Sequence, residues 1–264
     1  MDISVTGGPL THHHRAFVDG DCATIPWGAF DAGAHDPRTR ERARRAWVLR
    51  TNDEYRSMVG FAELQSLTAE MRAPLDVIVG AGRVVRDEAL HVELCARLTD
   101  LLGGRGPKAP APRFVGTDAR APARRRALQH LVGSLCIGET ISVAMLAGVR
   151  ERATDAVAHA VLTQLLRDES FHSRFGWLWL PHFEVTDAER RWLDALVPRV
   201  LASVTRGAVP SQHEAGVYRD NPYGSMPVEA RRAALERSLD EIVERFEAAG
   251  LPAERWRDEA AALR

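Results

Sequence analysis

Apolar residues recur along this chain at intervals of three and four, the period that gathers them on one side of an α-helix. The pattern predicts six long helices and no strand, an all-α chain. The first opens at Asp36-Pro37, a carboxylate N-cap followed by a proline whose missing N–H costs nothing at N1. Its stripe of Trp47, Thr51, Glu54, Met58, Phe61, Gln65 and Thr68 continues to about Met71, and Ala73-Pro74 ends it. The second, about 75–102, carries Val77, Ala81, Val84, Glu88, His91, Cys95, Leu98 and Leu102. The third, about 123–150, carries Leu128, Val132, Leu135, Glu139, Val143 and Leu146. With Thr154 as its expected N-cap, the fourth runs to about Leu178 and turns Val161, Leu165, Glu169, His172 and Gly176 inward. A capping box at Thr186-Asp187-Ala188-Glu189 starts the fifth, which contains Pro198 and ends near Arg206. Leu235, Leu239, Ile242 and Phe246 mark the sixth, about 227–249.

The connections are polar and broken by Gly and Pro. Residues 1–35 read as an irregular arm, and His12-His13-His14 within it as a solvated or substrate-adjacent segment rather than a closed metal site. The stretch 103–122 holds four prolines and four glycines. Extended chain spans up to ~3.3–3.6 Å per residue, so this loop is long enough to cross the length of a helix. The stretch 207–227, with His213, Tyr218 and Tyr223, is placed to wall a pocket, helped by Phe171, Phe175, Trp177, Trp179 and His182. The expected organisation is an arm (1–35), a four-helix unit (36–182) with the long crossover between its second and third helices, and a C-terminal extension (183–264) of two helices packed on it.

Polar residues that interrupt apolar stripes carry the chemistry. Arg86-Asp87-Glu88-Ala89-Leu90-His91 and Arg167-Asp168-Glu169-Ser170-Phe171-His172 are both R-D-E-x-x-H. Positions i and i+3 share a helical face, so each copy offers a carboxylate and an imidazole to one point. Glu54 and Glu139 lie about thirty residues upstream of the two copies, each an acid on an apolar stripe. Buried acids are rare unless paired. Four carboxylates and two neutral imidazoles suit two iron ions, with manganese or a mixed pair also fitting the donor set. Glu63 matches the height of Glu88 slightly better than Glu54 does, but it falls on the outer face with Arg56 and Glu70, so Glu54 is preferred. Asp87 and Asp168 are placed to take the second N–H of His172 and His91 respectively, which would fix the imidazole tautomers.

The remaining composition narrows the partners. With 35 basic and 36 acidic residues, the net charge of −1 offers no footprint for nucleic acid or an anionic membrane. No run of 18 apolar residues and no signal-peptide pattern are read, and Cys22, Cys95 and Cys136 are too scattered for a disulfide framework. A cytoplasmic protein with free thiols is expected.

The pattern Glu54, Glu88-x-x-His91, Glu139, Glu169-x-x-His172 resembles the ferritin-like di-iron carboxylate superfamily over roughly residues 45–180. From Glu54 through Ser57, Phe61, Ala73-Pro74 and Asp87-Glu88 to His91, the chain is similar to a group of bacterial ferritin-like proteins. The resemblance implies a left-handed four-helix bundle with those six residues as metal ligands. It also implies an oxidase or oxygenase of specialised metabolism that uses O2, an external electron donor and a small organic substrate, with a homodimer as a natural assembly. A dimanganese catalase, a non-catalytic metal-binding protein and an iron-storage ferroxidase are the alternatives. The p-aminobenzoate N-oxygenase type has a further His four residues before its last Glu-x-x-His, where this chain has Leu165.

Overall fold

A computed structural model describes residues 6–104, 118–208, 216 and 218–262, and these are helical with no strand. The central helices are α2 (Pro37–Glu70), α3 (Leu75–Leu101), α4 (Ala123–Gln129), α5 (Glu139–Arg150) and α6 (Ala156–Trp179), after an N-terminal α1 (Gly8–Asp21). Helices α7 (Asp187–Ala208), α8 (Val228–Ala248) and α9 (Ala253–Ala262) follow. Long α2 lies along α3, α6 packs on both α3 and α5, and α4 returns to α2. Leu64, Leu94, Leu98, Leu128, Leu131 and Leu135 are fully buried between them. The C-terminal helices cover this core from outside, α8 on α5 and α9 against α7 and α8.

Local chemistry sets most of the boundaries. Asp36 Oδ1 accepts from the backbone N–H groups of Arg38 and Thr39, each at 3.0 Å, and so begins α2. Glu189 Oε2 accepts from the Thr186 N–H at 2.9 Å while Thr186 Oγ1 accepts from the Glu189 N–H at 3.3 Å, the reciprocal box that opens α7. One boundary moves: α6 is capped by Asp155, whose Oδ1 accepts from Ala158 N–H at 2.8 Å, and not by Thr154. The N–H groups of both Thr154 and Asp155 are held by the Pro222 carbonyl at 2.9 Å, which delays the helix by a residue.

Three expectations are corrected. The arm is not irregular throughout, because α1 forms from Gly8 with proline in its first turn. Its Val18, with Cys22 and Ile25 beyond it, is buried, a spacing hidden among Gly, Asp and His. His14 Nε2 lies 3.4 Å from Glu93 on α3 and Arg97 Nη1 lies 3.3 Å from Asp19, so the arm is tied to α3. The third predicted helix is interrupted by a π-helical segment, His130–Gly138, between α4 and α5. Apart from His130 and Ser134 this run is apolar, so periodicity does not reveal the wider turn. By length and composition Ala123–Arg150 would also cross a membrane, and half of its most apolar window is buried in this protein. The C-terminal extension has three helices rather than two, since α9 follows Pro252 and seals Trp256 against Phe246, ring centroids 5.8 Å apart. Trp256 Nε1 donates to Asp194 Oδ1 at 2.8 Å. His213 and most of the crossover loop, 105–117, lie outside the described residues.

The π segment and α6 approach closely at Gly176. A Cβ there would stand 2.6 Å from Leu135 Cβ and 3.0 Å from the Leu135 carbonyl carbon. Backbone cannot yield as a flexible side chain does, so Gly176→Ala is expected to cost about 1–3 kcal/mol and to lower the thermal midpoint by roughly 5 °C. Gly207→Ala, where a Cβ meets nothing within 4 Å, is the control and should not destabilise. Equal midpoints for the two variants would mean that α6 can back away from the π segment.

Candidate metal centre

Four chain segments deliver six polar side chains into the core. Glu54 comes from α2, Glu88 and His91 from α3, Glu139 from the first residue of α5, and Glu169 and His172 from α6. All are buried, Glu54 the most accessible at 8% and Glu88, His91 and His172 fully enclosed. The i, i+3 spacing acts as expected within α6, where His172 Nδ1 is 3.2 Å from Glu169 Oε2, and in α3, where His91 Nδ1 is 3.9 Å from Glu88 Oε2.

The contacts between helices resolve two overlapping clusters. Glu54, Glu88, His91 and Glu169 each bring a ligand atom within 4.8 Å of the others, and so do Glu88, Glu139, Glu169 and His172. Glu88 and Glu169 belong to both. His91 Nδ1 lies 3.5 Å from Glu54 Oε2 and 3.4 Å from Glu169 Oε1, and His172 Nδ1 lies 3.3 Å from Glu88 Oε1. The imidazole centroids are 5.8 Å apart. Each ring thus turns Nδ1 to the carboxylates and Nε2 away. On that outer side His91 Nε2 meets Asp168 Oδ2 at 3.4 Å, and His172 Nε2 stands 3.5 Å from Asp87 Oδ2. Asp168 is itself held by Gln164 Nε2 at 2.6 Å and Arg167 Nε at 3.1 Å, and Asp87 by Arg83 Nε at 3.3 Å and Arg86 Nη1 at 3.4 Å. That geometry gives a reason for the whole R-D-E-x-x-H string: Arg steadies Asp, Asp meets the opposite His, and Glu and His face inward.

The protein alone leaves this cluster incomplete. Both oxygens of Glu88, the Nδ1 of His91 and the Nε2 of His172 are buried with no hydrogen-bond partner, the Asp87–His172 approach at 3.5 Å being the looser of the two outer contacts. Native interiors seldom leave such groups unpaired. Cations set among the Glu88 and His91 atoms would satisfy those, and the donor set of carboxylate oxygens and imidazole nitrogens is one that iron and manganese accept. Proton affinities in the metal-free cluster are strongly shifted. Burial, then the charge of Glu169, pushes Glu88 up to about 8. Burial and Glu169 also hold the Glu139 proton well above the usual carboxylate range. For Glu169, burial is outweighed by hydrogen bonds from Glu139 and His172, which bring it well below its ordinary value. For His91, burial is outweighed by Asp168, Glu169 and Glu54, and for His172 by Asp87, Glu169 and Glu88, so both stay protonated well above their ordinary value. Without metal, protons on Glu88, Glu139, His91 and His172 balance the acids.

A cavity of about 400 Å³ reaches the centre between α2 and the π segment. Glu54, Glu139 and Glu169 border its inner end, and small residues keep it open, Ser57 and Gly60 on one wall and Gly133, Ser134 and Gly138 on the other. The expected walls are elsewhere. Phe171 and Phe175 stack at 6.0 Å on the opposite side of α6, beside α3, where a Cβ on Gly80 would meet the Phe175 ring. Trp177 packs on Phe246 of α8 at 4.8 Å, Trp179 packs on Phe175 and Phe183, and His182 is exposed. Tyr223 instead anchors α2, its carbonyl accepting from Trp47 Nε1 at 3.0 Å. These aromatics serve packing because α6 buries its ligand face and the aromatic positions fall on its other sides.

Glu63 also departs from expectation. It is not on an outer face but lines the cavity, bound by Arg126 Nη2 of α4 and 3.3 Å from His130 Nε2. It belongs to neither ligand cluster. The sequence offers no sign of the Glu63–Arg126–His130 group, because the π turn that begins at His130 has no α-helical period to read. Cys22, Cys95 and Cys136 are buried, form no disulfide among the described residues and lie outside both ligand clusters. Comparison with protein-family models, curated proteins and solved structures finds no match for this chain.

Proposed function

We propose that α2, α3, the α4–α5 limb and α6 form a ferritin-like four-helix bundle, that it holds two iron ions, and that the protein is an O2-dependent oxidase or oxygenase of a small organic molecule. The observation that carries this reading is the cavity that ends on Glu54, Glu139 and Glu169. A centre sealed on all sides would suit a structural metal, whereas one with an open side has room for a substrate. Glu54 and His91 would hold one ion, Glu139 and His172 the other, with Glu88 and Glu169 shared. Fe(II) held by these residues would supply the electrons for O2 reduction, with an external donor restoring them between turnovers. The chain's own part is positional. Asp168 and Asp87 keep the two Nδ1 atoms aimed inward. Glu88 and Glu169 would offset metal charge in a dry core, where it would otherwise be very costly. The small residues of the cavity keep one face of the centre free of protein atoms, and the aromatic packing of α6 excludes water from the other.

The test is anaerobic loading with Fe(II) followed by O2. The expected result is uptake of O2 with a transient visible charge-transfer band. Iron bound at two per chain without O2 uptake would overturn the reading. Manganese suits the same donors. Peroxide disproportionation by the manganese-loaded protein, with an inert iron form, would select a catalase instead.

A further inference from the structure

The cavity has a polar device of its own, apart from the metal cluster. His130, the first residue of the π segment, lines the cavity together with Glu63. Their side chains are each 9% exposed. His130 Nε2 is 3.3 Å from Glu63 Oε2, while Arg126 Nη2 occupies the other oxygen of Glu63. With Arg126 beside it, Glu63 is held as a carboxylate, a group that accepts and does not donate. The hydrogen on the ring must then sit on Nε2. A neutral imidazole protonated on Nε2 has Nδ1 as a bare acceptor. Burial, opposed by Glu63, keeps the proton affinity of His130 below its ordinary value, so the ring is neutral near pH 7. Gly60 of α2 stands beside the ring, where an added Cβ would lie 3.8 Å from His130 Cε1, and both residues line the cavity. The Glu63–Arg126 pair is internally compensated, so the device selects for a hydrogen-bond donor and not for a charge.

We propose that His130 is a specificity-determining residue, its Nδ1 accepting a hydrogen bond from the O–H or N–H of a small neutral substrate, such as a phenol or an aromatic amine, lying in the cavity between it and the carboxylates. Glu63 and Arg126 are positioning residues that set its tautomer. The substrate donor is thereby fixed at one end of the cavity, and the remainder of the molecule extends toward Glu54, Glu139 and Glu169. A ligand without that donor would leave Nδ1 buried and unpaired, a loss of roughly tenfold in affinity.

This inference rests on the reading of the cavity as a substrate chamber, and its test uses neither O2 nor redox chemistry. The probes are para-nitroaniline and para-nitrotoluene, which differ by an amine for a methyl. Binding of each is measured by calorimetry to the full chain loaded with Zn(II), and zinc content is read separately. Wild type is expected to favour the amine, and the amine-to-methyl affinity ratio should fall about tenfold in His130→Phe. His130→Asn, whose amide oxygen can stand in for Nδ1, should keep the ratio within about threefold of wild type. Glu63→Gln removes the anion that fixes the tautomer without removing the ring, and should lower the ratio by an intermediate amount. An unchanged ratio in His130→Phe overturns the proposal. If that variant does not fold, an unchanged ratio in Glu63→Gln overturns it. Failure of both probes to bind wild type also overturns it. Amine selectivity that depends on His130, in a protein whose iron form ignores O2, would uphold the binding role and reject the oxidase.

Discussion

Glu169→Ala is expected to abolish metal binding at both positions, whereas His91→Ala should remove one ion and leave the other. The difference follows from the overlap of the two clusters, since Glu88 and Glu169 appear in both and the other four ligands in one each. Metal content after equilibration at a fixed free concentration should therefore fall from about two per chain to nearly none in Glu169→Ala and Glu88→Ala. It should fall to about one in His91→Ala, Glu54→Ala, His172→Ala and Glu139→Ala. Asp168→Ala and Asp87→Ala should keep the stoichiometry but weaken binding about 10–100-fold, because they touch only the far nitrogen of each imidazole. Elemental analysis with competitive chelator titration reads all eight variants. Each substitution leaves a buried partner unmatched in the metal-free core, at a cost of about 3–5 kcal/mol, so the helical content of every variant is read beside its metal content. Six ligand variants with the same metal content would refute the division into shared and private ligands, and full content in Glu169→Ala would remove it from the centre.

Much of this centre is legible in the sequence because an α-helix converts spacing into direction. Glu88 with His91 and Glu169 with His172 need only i, i+3, and Glu54 and Glu139 stand out as acids where the stripe asks for an apolar residue. Proline, Asp36 and the Thr186–Glu189 box mark helix ends by local hydrogen bonding, which the sequence also states. What stays hidden depends on geometry that no fixed period describes. The π segment shifts His130 and the glycines after it onto the cavity wall, so the chamber lies between α2 and this segment and not behind the aromatics of α6. An α-helical wheel puts Glu63 on the outer face of α2, yet its surroundings are set by Arg126 and His130 from a distant part of the chain. Helix α1 escaped because its composition is that of a loop, although Val18 is one turn from Cys22.

Metal loading is expected to raise the thermal midpoint by about 15–30 °C, and by more as pH increases. At free metal a thousandfold above Kd each site contributes ~4 kcal/mol, so two sites contribute ~8 kcal/mol, and a chain of this size gains roughly 2–4 °C per kcal/mol. The pH dependence comes from both forms. In the metal-free protein Glu88, Glu139, His91 and His172 all hold protons more tightly than they do unfolded. The stability they confer is full below their unfolded values and is lost as pH rises through the folded ones, for Glu88 across the interval from 4.5 to about 8. Glu169 and Asp168 hold protons less tightly, so their contribution is lost only as pH falls below the ordinary carboxylate range. The metal-free form should accordingly weaken between about pH 5 and pH 8. The loaded form moves the opposite way, because the metal must displace those protons, and each one displaced adds about tenfold to apparent affinity per pH unit. Melting curves with and without metal across that range, together with proton release into weak buffer during titration, measure the two effects. A midpoint difference that does not grow with pH, or metal uptake without proton release, would mean that the ions bind somewhere other than among these four groups.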